Sequence, residues 1–273
     1  MGIAQIVDLL ACPHCAHPLN AEEDVRAVVC ANGHRFDLAR QGYLNLLAAA
    51  QPPNADTVAM VAARERFLAA GTYDPIADAA RDLLGPEPAR ILDAGAGTGR
   101  LLSRLLDPSP GSLGIALDVS TAAARRAART HLRLGAVVAD VWRRLPVRDA
   151  AVDAVISNFA PRNPVEFARV LAPAGRLLTI TPTEKHLAEL RRTYGLLDVQ
   201  PAKAGRLAAA LSERFVPLAA HRLDRHDRWA APVVADAIAM GPNAFHPTPE
   251  RPEPADAEVT VSVELRLWSR RDR

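Results

Sequence analysis

Apolar positions change period several times along this chain, and each change marks an element. The clearest strand lies near the end. In EVTVSVELRLW, residues 258–268, Val259, Val261, Val263, Leu265 and Leu267 occupy alternate positions, the period of a strand with one apolar face. Five earlier runs are short and nearly continuous: RILDA (90–94), LGIALDVS (113–120), GAVVAD (135–140), AAVDAVISN (150–158) and GRLLTITPT (175–183). Such runs suit strands covered on both sides. RFVPLAAHRL (214–223) adds one more, which makes seven. RLLSRLL follows the first strand as a helix, and Ser120 caps another, TAAARRAART, after the second. Strands alternating with helices predict an α/β fold around a mostly parallel sheet.

Upstream, AAAQPPNAD (48–56) breaks any regular element, because two prolines and an Asn continue neither helix nor central strand. TVAMVAARERFLAAG then places Val58, Val61, Phe67 and Leu68 near helical spacing, with Gly71 as the stop. In YDPIADAARDLLG, Asp74 is the expected cap, Pro75 the first helical residue and Gly85 the end. HPTPERPEPADAE (246–258) reads as a loop. The chain therefore divides into an N-terminal module at 1–47, a linker and helical bridge at 48–89, and a sheet domain at 90–273.

Composition changes this picture little. The 273 residues are 49% apolar, enough for a sizeable core, and 33 basic residues nearly balance 31 acidic ones. Attraction to nucleic acid must then come from a local patch. No apolar run approaches 18 residues, so no membrane helix is expected. MGIAQIVDLLAC has no basic residue before its apolar run and carries Asp8 inside it, unlike a secretory signal. A cytoplasmic protein is the expectation.

The cysteines change it more. All three, Cys12, Cys15 and Cys30, lie in the first 30 residues, and His34 follows. CPHC and CANGH each set two ligands on a tight turn, and two such turns facing each other give a closed Cys3His structural zinc site. His14 and His17 are alternative ligands with poorer spacing. A module of about 40 residues buries too little core to fold alone, so the metal supplies its folding energy. Arg26, Arg35 and Arg40 with Phe36 and Tyr43 form a patch suited to RNA, or else the aromatics pack the ribbon against its neighbour.

After RILDA, Gly95, Gly97 and Gly99 form a G-x-G-x-G turn preceded by Asp93. It lacks the Lys-Ser/Thr of a P-loop, and its third glycine comes one residue early for a dinucleotide fingerprint. Asp118 ends the second strand 23 residues past Gly95, near the spacing of a carboxylate on ribose hydroxyls. Asp140 ends the third, placed to reach an adenine amino group. Together they point to one crevice at the carboxyl edge of the sheet.

The glycine loop resembles motif I of S-adenosylmethionine-dependent methyltransferases. The ribbon, RQGYLNLL and that domain together resemble the large-subunit ribosomal RNA guanine-N1 methyltransferases with an N-terminal zinc ribbon. MVAAR, ADVW, NFAPRNP and AMGPNAFH resemble the actinobacterial branch associated with resistance to tylosin and other mycinosylated macrolides. The resemblance implies a Rossmann-like class I fold with a seven-stranded sheet and one structural zinc. It implies methylation of guanine N1 in a hairpin loop of 23S rRNA near the peptide exit tunnel. It also implies cofactor contacts at Tyr73, Gly97, Thr98 and His186. The proline-rich 246–258 stretch departs from the family pattern.

For the chemistry, Asn158 and Arg162 stand in the loop after the fourth strand, where other methyltransferases contact substrate. Arg162 would meet phosphate or the developing charge on guanine O6, or would be a surface arginine. The competing reading is a small-molecule methyltransferase whose ribbon is only structural. A homodimer is compatible with the sequence. Serine at Cys12 and Cys15 is expected to abolish RNA methylation and spare cofactor binding.

Overall fold

Two apolar layers, one on each face of a single mixed sheet, organise the chain. The computed structural model describes residues 2–85, 88–198, 209–245 and 251–271. The N-terminal module contains helix α1 (Gly2–Ile6), a three-stranded antiparallel ribbon of β1 (Leu19–Ala21), β2 (Ala27–Cys30) and β3 (Arg35–Asp37), and the two-residue strand β4 (Leu44–Asn45). Helices α2 (Val58–Ala69) and α3 (Asp74–Leu84) lead to β5 (Arg90–Ala94), α4 (Arg100–Leu106), β6 (Leu113–Asp118), α5 (Thr121–Ala127), β7 (Leu134–Val138) and β8 (Val152–Asn158). Then come α6 (Pro164–Val170), β9 (Leu171–Pro182), α7 (Ala188–Tyr194), β10 (Phe215–Trp229), a helix at Ala231–Ala239 and β11 (Ala257–Arg270).

The large sheet runs β10–β11–β9–β8–β5–β6–β7–β4. All seven expected strands are in it. The eighth is β4, contributed by the N-terminal module and paired parallel to β7, Leu44 with Val137. The last hairpin is antiparallel, Phe215 with Arg270 through Trp229 with Ala257. Strand β11 starts at Ala257, within the stretch read as loop, while 246–250 lies outside the described residues. Among the described residues no helix is long and apolar enough to cross a membrane.

Local chemistry starts α5 at Ser120, where expected, and starts α2 at Thr57, which the spacing did not single out. Thr57 Oγ1 accepts the Met60 N–H, and Ser120 Oγ that of Ala123. Two details differ. Val58 is exposed, and α2 instead buries Met60, Val61, Ala63 and Phe67. Asp74 does not cap α3. Its carboxylate holds Arg100 and Arg104, because both side chains rise from α4, which packs beside α3.

One sheet face packs on α3 and α4 through Ala116, Ala136, Val138 and Ile156. The other packs Ile115, Leu117, Val137 and Val155 in the same cluster as Ile3, Ile6, Leu10, Leu19, Val28 and Cys30. The ribbon is thus part of the sheet's core. Helix α1 reaches it only because β7 has Gly135, where a Cβ would stand 2.4 Å from Ile6 Cγ1. The expectation that cofactor binding survives loss of the ribbon cysteines assumes a separable module, and this shared core removes that basis.

Candidate functional site: a Cys3His cluster and the methyl-transfer cleft

Cys12, Cys15, Cys30 and His34 bring four ligand atoms within 4.8 Å of one another. Cys15 Sγ lies 3.6 Å from Cys30 Sγ, and His34 Nδ1 lies 3.4 Å from Cys30 Sγ and 3.5 Å from Cys12 Sγ. Metal–ligand bonds of about 2.0–2.3 Å in a tetrahedron require separations of about this size. Each turn contains one residue at positive φ, Ala16 at 61° and Gly33 at 79°. Burial raises the Cys30 thiol, but the N–H groups of Asn32 and His34 together with the Cys15 and His34 side chains outweigh it and hold the pKa down at about 6. That favours the thiolate a metal needs. His14 is not in the cluster. Its ring stacks on Phe36, with centroids 5.7 Å apart.

The second site is a cleft of about 1530 Å³ at the carboxyl ends of β5 to β9. Asp93, Gly95, Gly97, Thr98, Asp118, Asp140, Asn158, Arg162, Tyr73 and His186 all line it. Among the described residues none from 2–47 does, so the ribbon and the cleft occupy different places. Gly99 belongs to the same turn and stands just before α4, with φ at 76°. A Cβ on Gly95 would meet the Ala160 side chain at 2.4 Å, so only glycine lets the loop after β8 close on the turn.

Asp118 accepts the Gly97 N–H (2.8 Å) and the Ser120 N–H (2.8 Å), which ties the turn to the second strand. Its burial raises its pKa. Asp93 is 1% exposed, and burial, then the Asp118 charge, pushes it up to about 7. Its Oδ1 has no hydrogen-bond partner among the described residues. Asn158 Oδ1 and Arg162 Nε are orphaned in the same way. Buried orphans facing one cleft signal partners supplied by a ligand. Arg162 is 7% exposed and donates only to Ile180 O (3.2 Å) and Thr181 Oγ1 (3.0 Å), with no carboxylate partner among the described residues. It is therefore not a surface arginine. Desolvation lowers it to about 10, so it stays cationic at neutral pH.

Both halves match known families. The zinc-ribbon model described as "RlmA, N-terminal" matches residues 10–51, and one described as "Methyltransferase domain" matches 91–179. A 23S rRNA (guanine(748)-N(1))-methyltransferase of Streptomyces fradiae is 44% identical over 94% of this chain and 95% of its own. A Micromonospora griseorubida protein, provisionally named a 23S rRNA (guanine-N(1)-)-methyltransferase, is 46% identical with the same coverage. The chain belongs to the 23S rRNA (guanine-N1)-methyltransferase family. A provisionally assigned methyltransferase structure from Bacillus halodurans has the same fold, with a TM-score of 0.51 and 14% identity over 72% of this chain and 99% of that one.

In this family member the methyl donor is S-adenosylmethionine, and the site's donors suit it. A carboxylate without a partner at Asp93 can take an ammonium. The Tyr73–His186 pair can take a carboxylate. Ser262 N–H donates to His186 Nδ1 (3.2 Å), which leaves the ring proton of neutral His186 on Nε2. Nε2 lies 2.9 Å from Tyr73 Oη, so the tyrosine accepts there and keeps its own proton for the cleft. Burial holds His186 down at about 4, so the ring is neutral at physiological pH.

The residue-level reading of the chain missed Arg64, whose MVAAR stretch entered only through the family resemblance. It rises from α2 into the cleft, pairs with Asp56 and donates to Met240 O (2.8 Å). Its Nη1 would stand 3.2 Å from a Cβ at Gly97. Nothing in its spacing distinguishes it from a solvated helical arginine.

Proposed function

We propose that the protein transfers a methyl group from S-adenosylmethionine to N1 of an unpaired guanine in a hairpin loop of 23S rRNA near the peptide exit tunnel. We place the activity in the cytoplasm and link it to tylosin-type macrolide resistance. One observation carries this reading: Arg162, a buried cation with no carboxylate partner among the described residues, lines the same cleft as the orphaned Asn158 Oδ1. Attack by guanine N1 requires loss of its proton, which develops negative charge shared with O6 until the methyl transfer neutralises it, and a desolvated guanidinium stabilises that transient charge. The names of the two full-length relatives support the same substrate.

S-adenosylmethionine supplies a methyl already activated as a sulfonium. Asp118 would hold its ribose hydroxyls and Asp140 its adenine amino group. Asp93 would meet the ammonium and Tyr73, oriented by His186, the carboxylate. Gly95, Gly97, Thr98 and Gly99 allow close backbone approach. Asn158 accepts a hydrogen bond from the guanine edge and fixes the base for attack. The proton leaves to water in the open cleft. Cys12, Cys15, Cys30 and His34 would hold a zinc that fixes the shape of the 1–47 module as an outer RNA contact.

The test is methylation of unmodified large-subunit RNA, mapped by reverse-transcriptase stops, since N1 methylation blocks Watson–Crick pairing. A stop in one hairpin loop is expected. Transfer to a small metabolite with no stop would favour the small-molecule reading.

A further inference from the structure

The turn after β7 presents its largest side chain to solvent. Trp142 is 66% exposed, and Arg143 and Arg144 beside it are exposed, while Val141 and Leu145 on either side are buried. The display is rigid. Trp142 N–H donates to Asp140 Oδ1 (2.9 Å), and Arg143 N–H to Asp140 O (3.1 Å). Asn163 Nδ2 donates to Val141 O (3.0 Å), and Leu145 N–H to Glu166 Oε2 (2.8 Å). A turn tied this way exposes its indole by construction and not by fraying.

Of the two charges beside it, one is unpaired and the other loosely paired. Among the described residues the Arg143 guanidinium has no ion-pair partner. Arg144 has a long one, 3.6 Å to Asp149, which Arg169 already holds at 2.6 Å. In the ribbon two of the three patch arginines are paired, Arg26 with Asp24 (2.8 Å) and Arg35 with Glu22 (2.9 Å), while Arg40 has no ion-pair partner among the described residues. Position completes the case. Trp142 lines the mouth of the cleft. A few residues on, Pro146 O accepts the Ala11 N–H, and Val147 bridges Leu10. The turn therefore spans from the cleft to the base of the ribbon.

We propose that the Trp142–Arg143–Arg144 turn is the RNA grip of the cleft. An unpaired base next to the target guanine stacks on the indole, and its flanking phosphates lie on the two guanidinium groups. Stacking on an exposed aromatic and charge neutralisation on arginine are the two forces that hold single-stranded RNA. The inference rests on the reading that the substrate is RNA.

The test uses the zinc-loaded full-length protein and an RNA hairpin copying the target loop. Trp229 and Trp268 are 3% and 4% exposed, so RNA should quench mainly Trp142 fluorescence. W142F should abolish the quench and bind RNA within about threefold of wild type, and W142A should weaken binding about tenfold or more. R143A/R144A should lower the log–log salt slope by about two. All three should bind S-adenosylmethionine within about twofold of wild type, the margin that separates an RNA grip from a cofactor contact. W142A binding RNA like wild type would overturn the proposal. So would an equal loss of cofactor affinity, which would make the indole a cover for adenine. If wild-type protein gives no reverse-transcriptase stop on 23S rRNA, the substrate reading fails. If it does, and W142A binds normally, only the grip fails.

Discussion

At the scale of single residues, the cleft combines groups that destabilise the empty protein. Asp93 is the sharpest case. Its folded pKa of about 7 lies above the ordinary carboxylate value, so folding favours its protonated form. Its contribution to stability is full in acid and is lost as pH rises toward and through 7. Asp93→Asn should therefore raise the melting temperature at pH 8 relative to wild type, with little difference at pH 4. On the proposed role of Asp93, cofactor binding runs the other way, because only the ionised carboxylate would pair with an ammonium. Titration calorimetry should show wild-type affinity falling as pH drops below about 7, and a weak, pH-flat response for the Asn variant. Arg162 predicts a different split. On the proposed role of Arg162, Arg162→Gln removes the charge that would face guanine O6, and kcat should fall about 10²-fold while cofactor affinity holds. A matching loss of cofactor affinity would assign Arg162 to the cofactor instead.

At the scale of elements, the docking of α1 on β7 depends on a missing side chain. Gly135→Val would drive Cβ into Ile6, and overpacking of this kind costs about 1–3 kcal/mol. Denaturant unfolding should show that loss, and Ile6→Ala should recover part of it if the clash is the cause. The elements themselves were largely legible. Ser120 and Gly85 marked their helix ends because capping is a contact within a few residues. Asp74 misled because its chain neighbours could not reveal Arg100 and Arg104, which reach it from α4. The same limit hid the Tyr73–His186 pair, whose members lie 113 residues apart.

At the scale of the molecule, the ribbon and the sheet share one apolar cluster, so the metal site stabilises more than its own module. Zinc removal by a chelator, or Cys30→Ser, should lower the melting temperature of the whole chain in one cooperative transition and reduce cofactor affinity with it. Two separate transitions, with cofactor binding intact after the first, would show the ribbon to be an independent unit. The amino-acid sequence by itself determined the Cys3His pattern, the glycine turn and the order of strands. Ligand spacing, turn chemistry and hydrophobic period are all short-range properties of the chain. Only the tertiary structure decided that Arg162 is buried with no counter-ion among the described residues, that Trp142 stays exposed at the cleft mouth, and that the ribbon packs away from that cleft. Burial and the absence of a partner depend on everything that folds around a residue, which no local pattern contains.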